Sequence, residues 1–499
     1  MNYLSEVEFD LLCLESDKVL HEKPNSRYRQ ANNLLHIIRE HPVFLGQYSP
    51  IFNHSSAQFF FFLIKRFLFH FLKGIWQSFK FFYKRDFSLS NKAIKSNKLS
   101  SVFISHLLND SFINHEKDFY FNSLPNQFSD LGENSLILYI NYTALSSKKI
   151  DAFFQKRGDN KIVLPKFISP KEEIKTSIRL IKESFTLLAS SFKYKGISKR
   201  IRSYAAIESL STATHFSVRL SKQVENIVKR TKPDYLFTTY EGHPWERLVY
   251  AAAKKENSSI KNIGYQHAII FKKQHALKRK LAANYNADFI LTSGQDGMTK
   301  LSKHEIAPPQ NIIVFGSSRT RLENEKNLMF NTELKSVLLL PEGDYNECNL
   351  MIELALNLAH HHKRINFVMR FHPLISIPQL IKKNKKLLNK TSNLILSDLA
   401  LEDDFKRANF VIYRGTSTII KAIEFGLYPV YYSLDKELSI NPLENNELLI
   451  DSINSHLDFD KIINFNTASL SDKLEKIQIL TANFFSPINY GKALKIKHL

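Results

Sequence analysis

Short apolar segments alternate with longer amphipathic segments along most of this chain, from about residue 130 to residue 432. The apolar segments, such as SLILYINY at 135–142 and DYLFTTY at 234–240, are typical of buried strands, and helix-like periodicity follows them. This alternation favours mainly parallel sheets with helices on both faces. Because 499 residues are too many for one core, the sequence predicts an α/β protein of two to three domains.

The expected domain boundaries follow from where this alternation starts and pauses. The stretch 317–335 is charged and poorly periodic, and we interpret it as a linker between two doubly wound units. The predicted organisation is a mainly helical region at 1–130, a first α/β domain at 131–330 and a second at 331–499. In such sheets, ligands bind beyond the carboxyl ends of the strands and in the cleft between domains.

The net charge of +21 indicates an anionic partner, and the candidates are nucleic acid, anionic lipid and acidic glycan. The Lys and Arg residues are dispersed, and we recognise no nucleic-acid-binding motif, so no nucleic acid partner is expected. The two cysteines, Cys13 and Cys348, lie far apart, which argues against a disulfide framework. The acidic N-terminus does not resemble a signal peptide, and a cytoplasmic location is expected.

One segment, AQFFFFLIKRFLFHFLKGIWQSFKFFYKR at 57–85, is rich in Phe but interrupted by basic residues. A membrane-spanning helix needs about 20 residues nearly free of charge, so this segment is interpreted as a basic amphipathic helix or helix pair. Two alternatives remain open. The helix lies on an anionic membrane surface, with Phe side chains and Trp76 buried in lipid. Otherwise it packs inside the N-terminal region, with its lysines extending to solvent.

The stretch from Arg414 to Thr418 connects a strand-like segment at 409–413 to a helix-like segment ending near Glu424. A helix N-terminus exposes unpaired N–H groups and attracts anions, and the hydroxyls of Ser417 and Thr418 add donors. A carboxylate two turns into the helix, Glu424, is placed to accept hydrogen bonds from ribose. The stretch therefore favours a nucleotide phosphate site, although Ser and Thr are also ordinary helix caps.

Polar residues follow the predicted strands in both halves of the chain. Since the carboxyl ends of parallel strands share one edge of a sheet, these residues are expected to line one cleft, although loops are commonly polar. The candidates in the first half are Glu241, Gly242, His243, Gln266, His267 and Ser317. Those in the second half are Glu342, Gly343, Arg370, His372, Pro373, Arg414, Gly415, Thr416, Ser417 and Thr418.

The spacing of Glu241-Gly242, His372-Pro373 and 416–418 resembles the acidic-Gly, His-Pro and Ser/Thr motifs of bacterial transferases that use CMP-activated sugars. These include sialyltransferases, polysialyltransferases and the Kdo transferases of capsule assembly. The resemblance covers about 230–435 and implies two facing Rossmann-like domains of the glycosyltransferase B type. It differs at Tyr240, where the family usually has a second acidic residue.

The resemblance implies transfer, with inversion, of Kdo or a nonulosonate from a CMP-linked donor in capsule, O-antigen or lipopolysaccharide biosynthesis. Glu241 would be the general base, and His372, the second catalytic residue, would hydrogen-bond or protonate the departing phosphate. Glu342 is a second candidate for the base or would line the nucleotide side. The remaining donor-binding residues would be Gly343, Arg370, Pro373, Arg414, Gly415, Thr416, Ser417, Thr418 and Glu424. Substrate contacts would come from Gly242, His243, Gln266, His267 and Ser317.

The sequence has no Asp-x-Asp pair and no convincing set of metal ligands, so no metal is expected. It also has neither a Walker A nor a GxGxxG motif, which argues against a kinase or a nicotinamide enzyme, and no cofactor beyond the nucleotide sugar is expected. The expected partners are this donor and a glycan or lipid-linked acceptor, together with an anionic membrane surface under the first interpretation of 57–85. Three alternatives stay open: a UDP-, GDP- or CDP-linked donor, a sugar-nucleotide epimerase of the same fold, and a non-catalytic membrane-associated scaffold.

Overall fold

The computed structural model describes residues 4–84, 99–319, 336–373, 375–384, 387, 391–435, 437–444, 450–464 and 467–498. Its strands form two parallel sheets, ordered β3-β2-β1-β4-β5-β6-β7 and β10-β9-β8-β11-β12-β13. The first sheet comprises β1 (Ser101–Leu107), β2 (Ser135–Asn141), β3 (Lys161–Val163), β4 (Tyr235–Thr239), β5 (Lys261–Gln266), β6 (Phe289–Thr292) and β7 (Ile312–Val314). The second comprises β8 (Ser336–Leu340), β9 (Asn366–Met369), β10 (Leu394–Leu396), β11 (Phe410–Tyr413), β12 (Tyr428–Tyr432) and β13 (Asp451–Ile453).

Counted within each sheet, the second has the strand order 3-2-1-4-5-6, and the first has the same order with a seventh strand added. This is the doubly wound order of nucleotide-binding folds, and it confirms the predicted fold class of two α/β units. The order reverses between β1 and β4 in the first sheet and between β8 and β11 in the second. Ligands of such sheets bind outside the carboxyl ends of the strands at these switch points.

The helices fall into three groups along the chain. Those before the first sheet are α1 (Glu6–Glu22), α2 (Arg27–Gln30), α3 (Pro42–Leu45), α4 (Ser49–Asn53) and α5 (Ser56–Lys84). Those between β1 and β8 are α6 (Leu124–Asp130), α7 (Ser147–Arg157), α8 (Pro170–Ser191), α9 (Gly196–Glu208), α10 (Thr212–Thr231), α11 (Pro244–Glu256), α12 (His275–Lys278) and α13 (Gln295–Ser302). The rest are α14 (Tyr345–His361), α15 (Ile377–Lys383), α16 (Leu401–Lys406), α17 (Thr418–Glu424), α18 (His456–Ile463), α19 (Thr467–Thr481) and α20 (Tyr490–Leu494).

The first sheet begins earlier than predicted, because β1 lies at its centre between β2 and β4. The sequence of β1, SVFISHL, mixes apolar residues with Ser101, Ser105 and His106, which are all buried. A central strand of a parallel sheet usually shows a continuous apolar run, and these polar residues interrupt it. The boundary at residue 131 is therefore wrong, and the first α/β unit starts near residue 100.

The end of the chain returns to the first sheet, so the predicted domain 331–499 is not one continuous unit. Ser486 donates its backbone N–H to Ser293, and Ser317 donates its own to Ser486. Ala493 and Ile496 are buried in the core around the first sheet. Such a long-range return has no signature in local periodicity. The predicted linker at 317–335 lies outside the described residues from 320 onward.

The C-terminal segment approaches closely because Gly316 faces it. A Cβ atom at Gly316 would lie 2.3 Å from the carbonyl oxygen of Pro487, and the backbone there is left-handed, with φ of 104°. We expect Gly316→Ala to lower the free energy of unfolding by at least about 2 kcal/mol more than Gly132→Ala. Gly132 is a matched control, since its φ is 76° and a Cβ there would meet nothing within 4 Å. Equal losses in urea denaturation would show that the close packing contributes no stability.

The Phe-rich segment forms one helix, α5, rather than a helix pair. Arg66 and His70 both contact Glu208 on α9, at 2.5 and 2.8 Å. The opposite side of α5 exposes large apolar residues, among them Phe61 and Trp76. One face of the helix therefore packs on the protein and another does not. No helix within the described ranges is both long enough and apolar enough to cross a bilayer.

Candidate functional site

Glu241 follows β4 at the switch point of the first sheet and is surrounded by imidazoles. Its Oε2 lies 3.1 Å from Nε2 of His243, and its Oε1 lies 3.3 Å from Nε2 of His267. His106, near the end of β1, is close enough for its charge to act on the same carboxylate. The side chains of Glu241 and His243 are 34% and 33% exposed, so ligands can reach them.

A buried carboxylate, Glu246, fixes the loop that carries Glu241. It accepts hydrogen bonds from the backbone N–H groups of Glu241, Gly242 and His243, at 2.9 to 3.0 Å, and from the hydroxyl of Thr239. At Gly242, φ is 86° and a Cβ would lie 2.6 Å from that of Ala276, so this position needs glycine. Sequence reasoning missed Glu246, although a glutamate at the third helical position after a cap is a recognised capping signal.

A cavity of about 310 Å³ opens beside Glu241. Its lining combines aromatic and titratable side chains, including His106, Tyr120, Tyr142, Glu241, His243 and Trp245. This size and lining are typical of small-ligand sites. The aromatic residues were not among the predicted site residues: Tyr120 follows β1, whose strand pattern was not recognised, and Tyr142 and Trp245 follow recognised strands but lay outside the predicted motifs.

The charges of this cluster are strongly coupled. Burial raises the pKa of Glu241, but the hydrogen bond from His243 and the charges of His267 and His106 outweigh it and keep that pKa well below its usual range. Burial lowers the pKa of His243, but Glu241 outweighs burial and raises it above its usual value. Burial lowers the pKa of His267 to about 4, against the opposing effect of Glu241. At neutral pH the site therefore holds a carboxylate and a neutral His267.

The switch point of the second sheet brings three predicted motifs into contact. A Cβ at Gly415, after β11, would lie 1.8 Å from Oε1 of Glu342, which follows β8. A Cβ at Gly343 would lie 3.1 Å from Nδ1 of His372, which follows β9. A side chain at Gly415 would displace the carboxylate of Glu342, and one at Gly343 would press on the ring of His372, so glycine is favoured at both positions. His372 and Pro373 are exposed at this edge of the sheet.

The hydroxyl-bearing residues Thr416, Ser417 and Thr418 are half-buried at the same edge. Thr416 accepts the backbone N–H of Thr418 through its Oγ1 at 3.3 Å. The helix that follows, α17, has only seven residues, and half-buried Glu424 is its last residue. The predicted order of strand, small-residue turn and helix is therefore present.

Arg319 connects the two clusters. It is exposed after β7, and its Nη1 donates to Oγ of Ser417 at 3.4 Å. Burial lowers the pKa of His267, and the positive charge of Arg319 lowers it further. Burial raises the pKa of Tyr120, and the same charge opposes that rise. A single guanidinium thus contacts the 416–418 turn and lies near enough to the Glu241 cluster for its charge to affect His267 and Tyr120.

Arg414 contradicts the expectation of an anion contact. Its side chain is completely buried, and its Nε donates to Glu347 at 2.7 Å. It also pairs with Glu437 and donates to the carbonyl of Tyr432. Its donors are directed to these protein groups, so Arg414 anchors the start of the turn in the protein interior and does not face a ligand.

Three other predicted residues also have mainly structural contacts. Arg370 donates through Nη1 to Asp404 at 2.8 Å and to the carbonyl of Leu399. Gln266 is buried, with its Oε1 2.6 Å from where a Cβ of Gly297 would lie. Ser317 is buried, and its Oγ accepts the backbone N–H of Arg319. The structure does not support direct ligand contacts for Gln266 and Ser317, because packing covers both side chains.

Glu342 contacts a residue from the N-terminal region that sequence reasoning did not consider. Nε2 of buried His41 lies 3.1 Å from Oε1 of Glu342, whose side chain is only 15% exposed. Burial raises the pKa of Glu342, but His41 outweighs it and lowers that pKa below its usual value. Of the two candidate bases, Glu241 is more exposed and lines the cavity, so the geometry favours Glu241. Among the described residues, no three His, Cys, Asp or Glu side chains form a metal-binding group.

No protein-family model matches this sequence, and no curated protein matches it. Similar solved structures include the glycosyltransferase SnogD from Streptomyces nogalater, at 10% identity over 81% of this chain and 99% of that chain, with a TM-score of 0.42. The apo form of the lipopolysaccharide outer core galactosyltransferase WaaB is 10% identical over 80% of this chain and 100% of that chain, also at 0.42.

A third similar structure is the Methanocaldococcus jannaschii UDP-GlcNAc 2-epimerase in complex with UDP-GlcNAc and UDP. It is 12% identical over 80% of this chain and 99% of that chain, with a TM-score of 0.41. At this identity and TM-score, the three likenesses do not transfer an activity. The assignment of two doubly wound units rests on the strand order of this chain itself.

Proposed function

We propose that this protein is a glycosyltransferase of bacterial surface polysaccharide biosynthesis, acting in capsule, O-antigen or lipopolysaccharide assembly. It transfers a sugar such as Kdo or a nonulosonate from a CMP-activated donor to an acceptor hydroxyl, with inversion. The observation that carries the proposal is the position of Arg319, which contacts Ser417 at one switch point and acts electrostatically on His267 at the other. In the proposed arrangement the two switch points face one cleft and provide separate positions for an acceptor and a nucleotide.

On the acceptor side, Glu241 accepts the proton of the acceptor hydroxyl. The acceptor oxygen then bonds to the anomeric carbon of the donor, from the face opposite the phosphate. His243 and His267 hold the carboxylate in place through contacts of 3.1 and 3.3 Å. The cavity next to Glu241 holds the acceptor glycan, with Tyr120 and Trp245 offering aromatic faces to it.

On the donor side, the bond between the anomeric carbon and the phosphate oxygen breaks, and CMP leaves with the bonding electrons. The hydroxyls of Thr416, Ser417 and Thr418 bind this phosphate and stabilise its developing charge. Arg319 takes the role that the sequence had suggested for Arg414, since its guanidinium is exposed beside Ser417. His372 contacts the same phosphate.

Two further parts complete the proposed donor site and its setting. Glu424 binds the ribose, while Gly343, Pro373 and Gly415 shape the floor of the nucleotide site. Reaction on a lipid-linked glycan would take place at the cytoplasmic face of the membrane, where the nucleotide sugar is made available. The proposed protein is therefore cytoplasmic and peripheral to that membrane.

A thermal-shift panel of CMP, CDP, UMP, UDP, GDP and ADP tests the donor assignment. A ligand at about 100 times its dissociation constant stabilises the folded protein by roughly 2.7 kcal/mol. We expect CMP to stabilise the wild type and to lose this effect in Arg319→Gln. The exposed Arg364, changed to Gln, is the control and should keep it.

Each other outcome of the panel has a defined meaning. Stabilisation by UDP, GDP or CDP in place of CMP would retain a nucleotide-sugar enzyme, a transferase or an epimerase, and discard the CMP donor. No stabilisation by any nucleotide would contradict the proposed function and favour a non-catalytic scaffold.

The pH dependence of transfer should report the coupling of Glu241 to His243. Since the pKa of His243 is raised above 6.5, its proton is lost only above that pH, and until then His243 keeps Glu241 a weak base. We expect kcat/KM to increase with pH along a limb above 6.5. His243→Asn should move this limb to lower pH, because the pKa of Glu241 then returns towards 4.5. An unchanged limb in His243→Asn would assign the titration to another group.

A further inference from the structure

Helix α5 exposes an unusually large apolar surface. Among its described side chains, ten large apolar residues between Phe60 and Trp76 are exposed, with Phe61 at 68% and Leu72 at 64%. The opposite side, with Phe59 and His70, is buried against the protein. Exposed apolar patches of this extent mark interaction surfaces on soluble proteins.

Helix α8 has a second exposed apolar stripe. Its members are spaced alternately four and three residues apart, so they share one face of the helix. They are Ile174, Ile178, Ile181, Phe185, Leu188 and, just after the helix, Phe192. The other face, with Leu180 and Leu187, is buried in the core of the N-terminal region. The stripe extends about 27 Å at 1.5 Å per residue. Both α5 and α8 pack against α9.

The charges beside these two surfaces are almost all positive. Helix α5 contains Lys65 and Lys73 within the stretch of exposed residues, while Arg66 pairs with Glu208, and the sequence of the helix has no Asp or Glu. The acidic residues of α8 all pair with basic groups of the protein. These pairs are Glu172 with Lys222, Glu173 with Arg219 and Glu183 with Arg29. Lys175 and Lys182 of α8 flank the apolar stripe.

We infer that α5 and α8 together form a docking surface for an anionic lipid bilayer. Their Phe, Ile, Leu and Trp side chains enter the interface between headgroups and acyl chains, and the flanking lysines reach lipid phosphates. The inference does not depend on the nature of the donor.

A second copy of the chain fits these surfaces less well. Intervals of four and three residues also suit helix pairing, but a parallel pairing through this stripe would bring Lys175 and Lys182 close to the same residues of the partner helix. Lys175 is already 3.9 Å from Glu172, but the like charges of Lys182 and its copy would oppose such a pairing. An anionic bilayer satisfies the apolar and the basic residues at once.

Co-sedimentation of the full chain with vesicles tests the inference. We expect binding to vesicles of phosphatidylcholine mixed with phosphatidylglycerol, weaker binding to phosphatidylcholine alone, and release by salt. The variants Phe61→Ser/Leu72→Ser on α5 and Ile178→Ser/Phe185→Ser on α8 should each weaken binding by at least about tenfold. The control Leu457→Ser/Ile479→Ser removes two equally exposed apolar side chains of the second unit and should leave binding unchanged.

Thermal melting and nucleotide shifts of the same variants separate this inference from the proposed function. Variants that melt like the wild type and keep its nucleotide response, but lose vesicle binding, support the docking surface. Two results would overturn it: vesicle binding that survives both pairs of substitutions, or no vesicle binding at all. If sedimentation without lipid also shows a dimer that the α8 variant dissociates, a second copy is the occupant.

Discussion

Replacing Glu241 with glutamine is expected to lower the rate of sugar transfer about a hundred- to ten-thousandfold and to leave the nucleotide response in thermal shift intact. The amide keeps the shape of the side chain and a hydrogen-bonding oxygen near His243, but it cannot accept the proton of the acceptor hydroxyl. The loss should fall on kcat, because Glu241 follows a strand of the first sheet, whereas the loops that are proposed to bind the donor follow strands of the second.

Glu342→Gln is the matched control for this experiment. Both carboxylates follow a strand at a switch point and both contact a histidine, but Glu342 is largely covered and contacts buried His41. We expect Glu342→Gln to retain transfer. If Glu342→Gln loses transfer and Glu241→Gln keeps it, the roles of the two glutamates are reversed. If both variants keep transfer, neither acts as the base.

Replacing Arg414 with methionine is expected to lower the free energy of unfolding by about 3–5 kcal/mol, measured by urea denaturation. The side chains of Arg414, Glu347 and Glu437 are 0%, 1% and 1% exposed, so the two carboxylates would remain in the interior without their cation. Part of the loss should be recovered in Arg414→Met/Glu347→Gln/Glu437→Gln, in which the buried charges are removed together.

The substitution Arg364→Met provides the comparison for Arg414, because Arg364 is exposed and its loss should change stability by less than about 0.5 kcal/mol. A different result for Arg414→Met would be equally informative. If the variant were as stable as the wild type but no longer stabilised by CMP, Arg414 would be a ligand contact, as the sequence had suggested.

The sequence alone determined the fold class and most of the positions at which chemistry is expected. Strands such as β8, β11 and β12 were recognised because each is a short, buried, apolar run, and burial on both faces leaves that pattern in the residues themselves. The parallel arrangement then placed Glu241, Glu342, His372 and the 416–418 turn at the carboxyl ends of strands. Contacts between Glu342 and Gly415, and between Gly343 and His372, are consistent with that reasoning.

Only the tertiary structure decided which polar residues face the cleft and which are enclosed. Arg414 and Arg319 look alike in sequence, since each lies in a small-residue turn after a strand. Arg414 is enclosed because Glu347 and Glu437, distant along the chain, supply its partners, whereas Arg319 is exposed beside Ser417. Such pairings depend on long-range packing, and periodicity reports only local burial. For the same reason, the sequence does not show that Ser486 and Ile496 return to the first sheet.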